Sequence, residues 1–295
     1  RQAPPRPPQA QPAPAPRSPA GLHAGLMLIA TWNVNSIRSR LGHLQTWLKD
    51  QQPDVLCLQE TKVSDPEFPY QPLQDLGYHC TVFGQKAYNG VAILSRHPLT
   101  VVSYGFGDPQ WDEQKRLLHV RLGGLQIVNV YVPNGGELDS DKYHYKLQWL
   151  ERLRHYLQKW VGDPLVVCGD FNIAPDDRDY YDPGLAGSLM ASAAERQALQ
   201  ALQALPLTDA FRYFTAEPGH YSWWDYRAGR FRRNQGWRID HVYVSAPVRP
   251  YLERCWIDPG PRRLDKPSDH TPVIVDIQAQ FLPPNAPEPS QMAPQ

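Results

Sequence analysis

Over 295 residues the chain balances 30 Lys+Arg against 30 Asp+Glu, a formal net charge of zero, with 41% hydrophobic and 20% charged residues. Such a balance gives no support to a polyanion partner held by bulk charge, so any basic surface must be local, and the apolar content suits a soluble globular chain with core for one large or two small domains. Cys57, Cys80, Cys168 and Cys255 lie far apart, three of them inside apolar runs, which argues for free buried thiols rather than a disulfide frame or a zinc site; no apolar run is long enough to span a membrane.

Arg1 to Ala20 is dominated by Pro, Ala and Gln, a composition that cannot build a core and samples extended states. It has neither the apolar block of a secretory signal nor the Ser-rich amphipathic pattern of a transit peptide. The folded unit is therefore expected to start near Met27. Residues 1–26 are expected to be a dispensable disordered tail, 27–280 one domain, and 281–295 a second tail.

Leu26 to Trp32 reads as a buried strand ending in Asn33-Val34-Asn35. Ile37, Leu41, Leu44 and Leu48 recur at helical spacing and stop near Pro53. Asp54 to Leu58 is a second apolar strand that delivers Gln59-Glu60-Thr61-Lys62. Between Tyr78 and Leu122 the pattern changes to short strands split by Gly, Pro and Asn: His79–Phe83, Gly90–Arg96, Leu99–Tyr104 and Arg116–Leu122. Leu125 to Val132 is a further strand.

Ser140 to Val161 is the longest expected helix, with Leu147, Leu150, Leu153 and Leu157 on one stripe and Lys146, Arg152, Arg154 and Lys159 on what reads as a solvated face. Pro164 to Asp170 is an apolar strand that ends abruptly in Gly169-Asp170-Phe171-Asn172. Side chains of an extended segment alternate, so Asp170 and Asn172 share a face and Phe171 points back. Ala191 to Leu205 reads as a helix. An aromatic and basic cluster follows from Tyr221 to Trp237, then a strand Arg238–Val244 and, after Pro267-Ser268-Asp269-His270-Thr271-Pro272, a strand Val273–Ile277. Two runs of strands and helices in similar order hint at two packed sheets.

Six strand-end segments thus present polar groups: Asn33/Asn35, Glu60, Tyr131/Asn134, Asp170/Asn172, Asp240 and Asp269/His270. A lone Asp or Asn in a loop is ordinary turn chemistry; their joint recurrence where layered folds assemble sites is not. Oxygen ligands without clustered His or Cys favour Mg²⁺ or Mn²⁺. The chemistry they suit is metal-assisted phosphoester hydrolysis, which needs neutralised phosphoryl oxygens, an oriented water and help for the leaving oxygen. Glu60 suits the metal, Asp170 a proton from water, Asn172 water or phosphate, and an Asp240–His270 pair the phosphoryl group.

The motifs Trp32-Asn33-Val34-Asn35-Ser36-Ile37-Arg38, Leu58-Gln59-Glu60-Thr61-Lys62, Tyr131-Val132-Pro133-Asn134-Gly135, Gly169-Asp170-Phe171-Asn172-Ile173-Ala174, Trp237-Arg238-Ile239-Asp240 and Pro267-Ser268-Asp269-His270-Thr271-Pro272 together resemble the exonuclease III family. That family includes the apurinic/apyrimidinic endonucleases, within the endonuclease/exonuclease/phosphatase superfamily. The resemblance spans about Met27 to Ile277. It implies an α/β fold, a four-layer sandwich of two mixed β-sheets flanked by helices, forming one catalytic nuclease domain. It also implies Mg²⁺-dependent (or Mn²⁺-dependent) DNA repair: 3′→5′ exonuclease and 3′-phosphatase action and incision beside abasic sites in double-stranded DNA.

Position by position, the resemblance assigns Glu60 as principal metal ligand and Asn33, Asp170, Asn172, Asp269 and His270 to the metal and phosphate cluster. It makes Tyr131 the active-site tyrosine, Asp170 the proton donor or acceptor, Asn172 the transition-state stabiliser and Asp240 the partner that orients His270. Asn35 and Asn134 fall among the DNA contacts, and Trp223, Trp237 and Ile239 match the apolar pocket for a flipped-out, base-less sugar, which must replace lost stacking. Arg227, Arg232 and Arg233 are expected on the DNA backbone, which local charge grips even at zero net charge, whereas Trp224 and Tyr226 read as core.

Some relatives insert an Arg after the Tyr-x-Pro-Asn loop, where this chain has Glu137, and wedge the duplex with a Met where it has Arg227. The Asp- and Gly-rich segment from Asp176 to Met190 has no assigned role. A monomer is expected, with no membrane partner, in a bacterial cytoplasm (nucleoid-associated work) or another reducing compartment. The rivals are a phosphoesterase of the same superfamily acting on a lipid or inositol phosphate, which the Trp223/Trp237 pocket and its Arg-rich loop disfavour, and a catalytically silent nucleic-acid-binding relative.

Overall fold

The computed structural model describes residues 25–283, so the two expected tails lie outside the described residues except for 25–26 and 281–283. In chain order the strands are β1 (Leu26–Asn33), β2 (Val55–Gln59), β3 (His79–Phe83), β4 (Val91–Ser95), β5 (Thr100–Tyr104), β6 (Leu117–Leu122), β7 (Leu125–Tyr131), β8 (Leu165–Asp170), β9 (Leu207–Asp209), β10 (Asp240–Ser245), β11 (Leu252–Ile257) and β12 (Val273–Gln278). The α-helices are α1 (Ile37–Gln51), α2 (Tyr70–Gln74), α3 (Pro109–Asp112), α4 (Asp141–Leu157), α5 (Ala193–Gln203) and α6 (Ala210–Phe214). Among the described residues no helix is long and apolar enough to cross a membrane.

These strands form two six-stranded mixed sheets, ordered β11-β12-β1-β2-β4-β3 and β5-β6-β7-β8-β10-β9. Each holds one parallel pair, β1 with β2 and β7 with β8, and every other pairing is antiparallel. A parallel pair needs a crossover, supplied by α1 and α4. The second half of the chain thus repeats the first, with one exchange. The β5–β6 hairpin of the first half pairs beside β7, and the β11–β12 hairpin of the second half pairs beside β1. Neither sheet is complete without strands from both halves.

Alternation builds the layers. From β1, Met27 and Ile29 enter the apolar layer between the sheets, while Leu28, Ala30 and Trp32 pack outward with Leu44, Trp47 and Leu48 of α1. From β8, Val166 and Cys168 face the other sheet, while Leu165 and Val167 meet Trp149, Leu150, Leu153 and Leu157 of α4. The result is the expected four-layer sandwich. At Gly169 the β7 backbone comes so close that a Cβ would lie 1.9 Å from the Val130 carbonyl oxygen, and φ is +149°, so only glycine fits there.

Several expectations give way. The expected helix from Ser140 to Val161 is regular only to Leu157, and Lys146 is fully buried instead of solvated. The cause is α5, laid against α4, whose Glu195 carboxylate lies 2.5 Å from the Lys146 ammonium. Tyr226, expected in the core with Trp224, is 49% exposed while Trp224 is 3% exposed. The extended run ends just beyond it in a tight turn with left-handed Ala228 at φ 57°, so alternation no longer applies. Cys80 is only half-buried, and all four thiols are free.

Candidate active site

The parallel pairs point their carboxyl ends the same way, and the two sheets bring those ends together. Asn33 ends β1 level with Gln59 of β2, which places Glu60 next, and Tyr131 ends β7 level with Asp170 of β8. Asp240 starts β10 as the register partner of Asp170. The loop before β12 is pinned onto β1: Ser268 Oγ donates to the Asn33 carbonyl at 2.7 Å and Trp32 Nε1 to the His270 carbonyl at 3.3 Å. All six segments singled out in the sequence therefore meet at one edge of the sandwich.

Part of the chain's backbone strain lies there. Asn35 (φ 44°), Ser36 (82°), Glu60 (48°), Lys62 (57°) and Asn172 (50°) all adopt left-handed conformations without being glycine. Such positions cost free energy and persist where packing and function hold them. The loops after the parallel strands hold each other, through Ser36 N–H to the Glu60 carbonyl (2.8 Å) and Val132 N–H to the Asp170 carbonyl (2.9 Å).

At the centre, Asn33 Nδ2 donates to Glu60 Oε1 and to Asp170 Oδ2, both at 2.9 Å, while its Oδ1 accepts the Asn35 N–H at 3.0 Å. Asn33, expected in the metal and phosphate cluster, bridges the two carboxylates through its Nδ2, and its Oδ1 keeps a second lone pair. Asp170 Oδ1 accepts the Asn172 N–H at 3.0 Å, and Asn172 Nδ2 donates to the Val132 carbonyl at 2.9 Å. The Asn172 amide oxygen accepts from Asn134 Nδ2 at 3.4 Å, which joins the two amides. Asp269 accepts from Asn35 Nδ2 (3.2 Å) and Trp223 Nε1 (3.0 Å). Expected as a ligand, it lies outside the group of Glu60, Asp170 and His270, whose ligand atoms all fall within 4.8 Å of one another.

His270 Nδ1 lies 2.8 Å from Asp240 Oδ2, and its Nε2 lies 3.6 Å from Asp170 Oδ2. Ser222, which the sequence did not single out, fixes Asp240: its hydroxyl accepts the backbone N–H groups of Ile239 and Asp240 at 3.1 and 3.0 Å. Burial alone lowers the imidazole pKa, but the charges of Asp240 and Asp170 outweigh it and hold His270 well above its ordinary range. That shift favours the protonated ring, in which both nitrogens are N–H donors. Asp170 is pushed up to about 7, first by burial, with Asp240 and Glu60 adding to it against the opposing effect of His270. Burial, then the Glu60 charge, raises the Tyr131 hydroxyl well above 10. Tyr131 therefore stays a phenol, with the Arg116 guanidinium 4.6 Å from its ring centre.

The donor set fits a hard divalent cation. Glu60, Asp170 and Asp240 crowd negative charge into a buried space, and Asp240 Oδ1 has no hydrogen-bond partner among the described residues. A bound cation relieves that crowding. Lys62, quoted in its motif but given no role, reaches Glu60 Oε2 at 3.3 Å and Asn35 Oδ1 at 2.7 Å.

Beside this cluster, Trp237, Ile239 and Trp223 form an apolar wall with Tyr181, Leu185, Leu189 and Met190. The unassigned Asp176–Met190 segment thus packs against the residues expected to form the sugar pocket. Its apolar residues carry no period because they sit on turns, which hid them. Arg238, between the two pocket residues, is fully buried against Asp179 and Asp209 at 2.6 and 2.8 Å, and so anchors that segment. Arg227, Arg232 and Arg233 are exposed on the neighbouring turn, with Arg227 paired to Asp225 at 3.3 Å.

The model of the endonuclease/exonuclease/phosphatase family matches residues 30–270. Exodeoxyribonuclease III of Haemophilus influenzae is 35% identical over 274 residues, covering 85% of this chain and all of that protein. An AP endonuclease from Archaeoglobus fulgidus superposes with a TM-score of 0.81 at 40% identity, over 84% of this chain and 98% of that one. A 3′ phosphatase from Neisseria, solved bound to a product DNA hairpin, gives 0.83 at 42% identity, over 85% and 99%.

Proposed function

The chain belongs to the endonuclease/exonuclease/phosphatase family, and we propose that within it this protein is a Mg²⁺-dependent (or Mn²⁺-dependent) DNA-repair nuclease. Its substrate is double-stranded DNA with abasic sites or 3′-blocked ends, and it combines 3′→5′ exonuclease, 3′-phosphatase and abasic endonuclease action. The observation that carries this reading is the convergence of Glu60, Asp170 and His270 within 4.8 Å beside an apolar cluster that includes Trp223, Trp237 and Ile239.

Glu60 would hold the ion at the mouth, with Asp170 bordering it and waters completing its shell. When bound, a divalent cation supplies charge neutralisation at the phosphoryl oxygens and acidifies water. The side chains do the rest. Asp170, poised at about 7, accepts a proton from the attacking water, the pKa range in which a general base works near neutral pH. His270, held as imidazolium by Asp240, and the Tyr131 O–H donate to phosphoryl oxygens as charge develops. Asn172 and Asn134 orient the phosphate, and the pocket takes the sugar that has left the stack.

The reading takes the protein as a monomer working away from membranes, in a bacterial cytoplasm or another reducing compartment; four free cysteines support the latter. Product analysis on an abasic duplex, a blunt duplex and a 3′-phosphate nick, each with Mg²⁺ and with chelator, tests it. Metal-dependent incision, nucleotide release or phosphate release is expected. Inertness on all three DNAs, with turnover of an inositol phosphate, would overturn the reading.

A further inference from the structure

Lys146 is buried to 0% exposure, and all three of its ammonium protons are used. They go to Glu195 Oε1 at 2.5 Å, the Asn172 carbonyl at 2.7 Å and the Asn134 carbonyl at 3.2 Å. Those carbonyls belong to the two loops that present the Asn172 and Asn134 amides. Neither loop has a regular ladder beyond its strand, and Asn172 is left-handed at φ 50°. The lysine stem also fills the space beneath Gly135, where an added Cβ would meet Lys146 Cδ at 3.1 Å and Leu189 Cδ1 at 3.2 Å.

Glu195 extends the link. Its Oε2 accepts the Ser192 N–H at 3.1 Å and the Ser192 hydroxyl at 2.7 Å, capping α5, and Ser192 Oγ also meets the Tyr143 hydroxyl at 2.7 Å. The residues just before Ser192, from Leu189 to Ala191, belong to the apolar cluster of Trp223, Trp237 and Ile239. One buried ion pair therefore joins both amide-bearing loops to that apolar cluster. A charge pair replaceable by apolar residues without loss of stability is an expensive way to fill space, and three directed donors are what two irregular loops require.

We propose that Lys146, held by Glu195, is a positioning residue that sets the Asn134 and Asn172 amides for the phosphate in its transition-state geometry. It touches no substrate. The proposal rests on the nuclease reading above, and its test carries a readout that does not.

Lys146→Met alone strands the Glu195 charge in the interior and lowers stability for that reason only. The decisive variant is Lys146→Met with Glu195→Gln, which removes both charges and keeps an acceptor for Ser192. Its melting temperature, kcat and KM on an abasic duplex, and the side-chain amide NMR signals of Asn134 and Asn172 are compared with the native protein. Positioning predicts native-like melting, a kcat lower by about 10- to 100-fold, as for other supporting contacts, a KM within about threefold, and shifted or broadened amide signals. Native kcat together with unmoved amide signals would overturn it. Should the native protein fail to cut DNA, the nuclease reading falls, and the amide signals alone still decide whether Lys146 sets the two loops.

Discussion

Asp170 and Asp240 face each other as register partners across β8 and β10, and the His270 ring lies between their carboxylates, 3.6 Å from one and 2.8 Å from the other. Two carboxylates this close do not both ionise without a cation between them. The imidazolium is that cation, and Asp240 sets its charge.

Asp240→Asn keeps a hydrogen-bonding group and removes the charge. Because Asp240 raises the His270 pKa, its loss lets the ring deprotonate at lower pH. The alkaline limb of the kcat profile should move to lower pH, with a loss of about 10²-fold or more at pH 8.5 and a smaller one at pH 6. An unmoved limb would mean that Asp240 acts on His270 by orientation alone.

The Arg238 network should dominate the stability of the pocket. Burial lowers the guanidinium pKa, but Asp209 and Asp179 overcome it and raise it above the ordinary value. Asp179→Asn weakens a pair whose two side chains are 1% and 0% exposed. Breaking one partner of a buried pair costs about 3–5 kcal/mol, so urea unfolding should show a loss near the lower figure, since Asp209 remains. A change below about 1 kcal/mol would show the network to be redundant.

His119 predicts an acid limb of stability. Burial lowers it from 6.5 to about 4, with the Tyr156 hydroxyl 2.7 Å from Nδ1 and Gln126 Oε1 2.9 Å from Nε2. A neutral ring satisfies both. The unfolded chain binds the proton first, so this stabilisation is complete above pH 6.5 and is lost as pH falls toward 4. Asp170, whose pKa is raised, acts with the opposite sign, so the difference between native protein and His119→Gln isolates the histidine. By urea denaturation their gap should narrow by about 1.5 kcal/mol between pH 6.5 and pH 5.0. A gap constant with pH would contradict a neutral buried ring.

Arg232 and Arg233 are exposed on the turn beside the pocket. Replacing both with Ala should weaken DNA binding and reduce the slope of log K against log salt by about two if each contacts one phosphate. An unchanged slope in fluorescence anisotropy would exclude backbone contact by this pair.

The strand ends were legible because their signal is local: an apolar period-two run stops, and polar side chains follow on one face. Asn33, Glu60, Tyr131 and Asp170 carry that mark, Asp240 and His270 carry its mirror image at the start of β10 and ahead of β12, and the sheets gather them. Lys146 carried the opposite mark. Its charge groups it with Arg152 and Lys159, yet it stands four, seven and eleven residues before Leu150, Leu153 and Leu157 on the buried stripe of α4, and its partner Glu195 comes from α5, 49 residues on. The hairpin exchange was equally hidden, since no local pattern says that β11 and β12 pair beside β1. The edge strand β11 even exposes Glu253 and Arg254. Tyr181, Leu185 and Leu189 stand on turns, where apolar residues have no period to read.

The most direct measurement of the central claim is the rate of abasic-duplex incision by the native protein and Glu60→Gln across a Mg²⁺ titration. If Glu60 holds the ion, the native rate rises with Mg²⁺ and vanishes with chelator, while the variant needs at least about tenfold more Mg²⁺ and stays slower at saturation. Equal Mg²⁺ dependence of the two proteins, or native incision that survives chelation, would contradict the account.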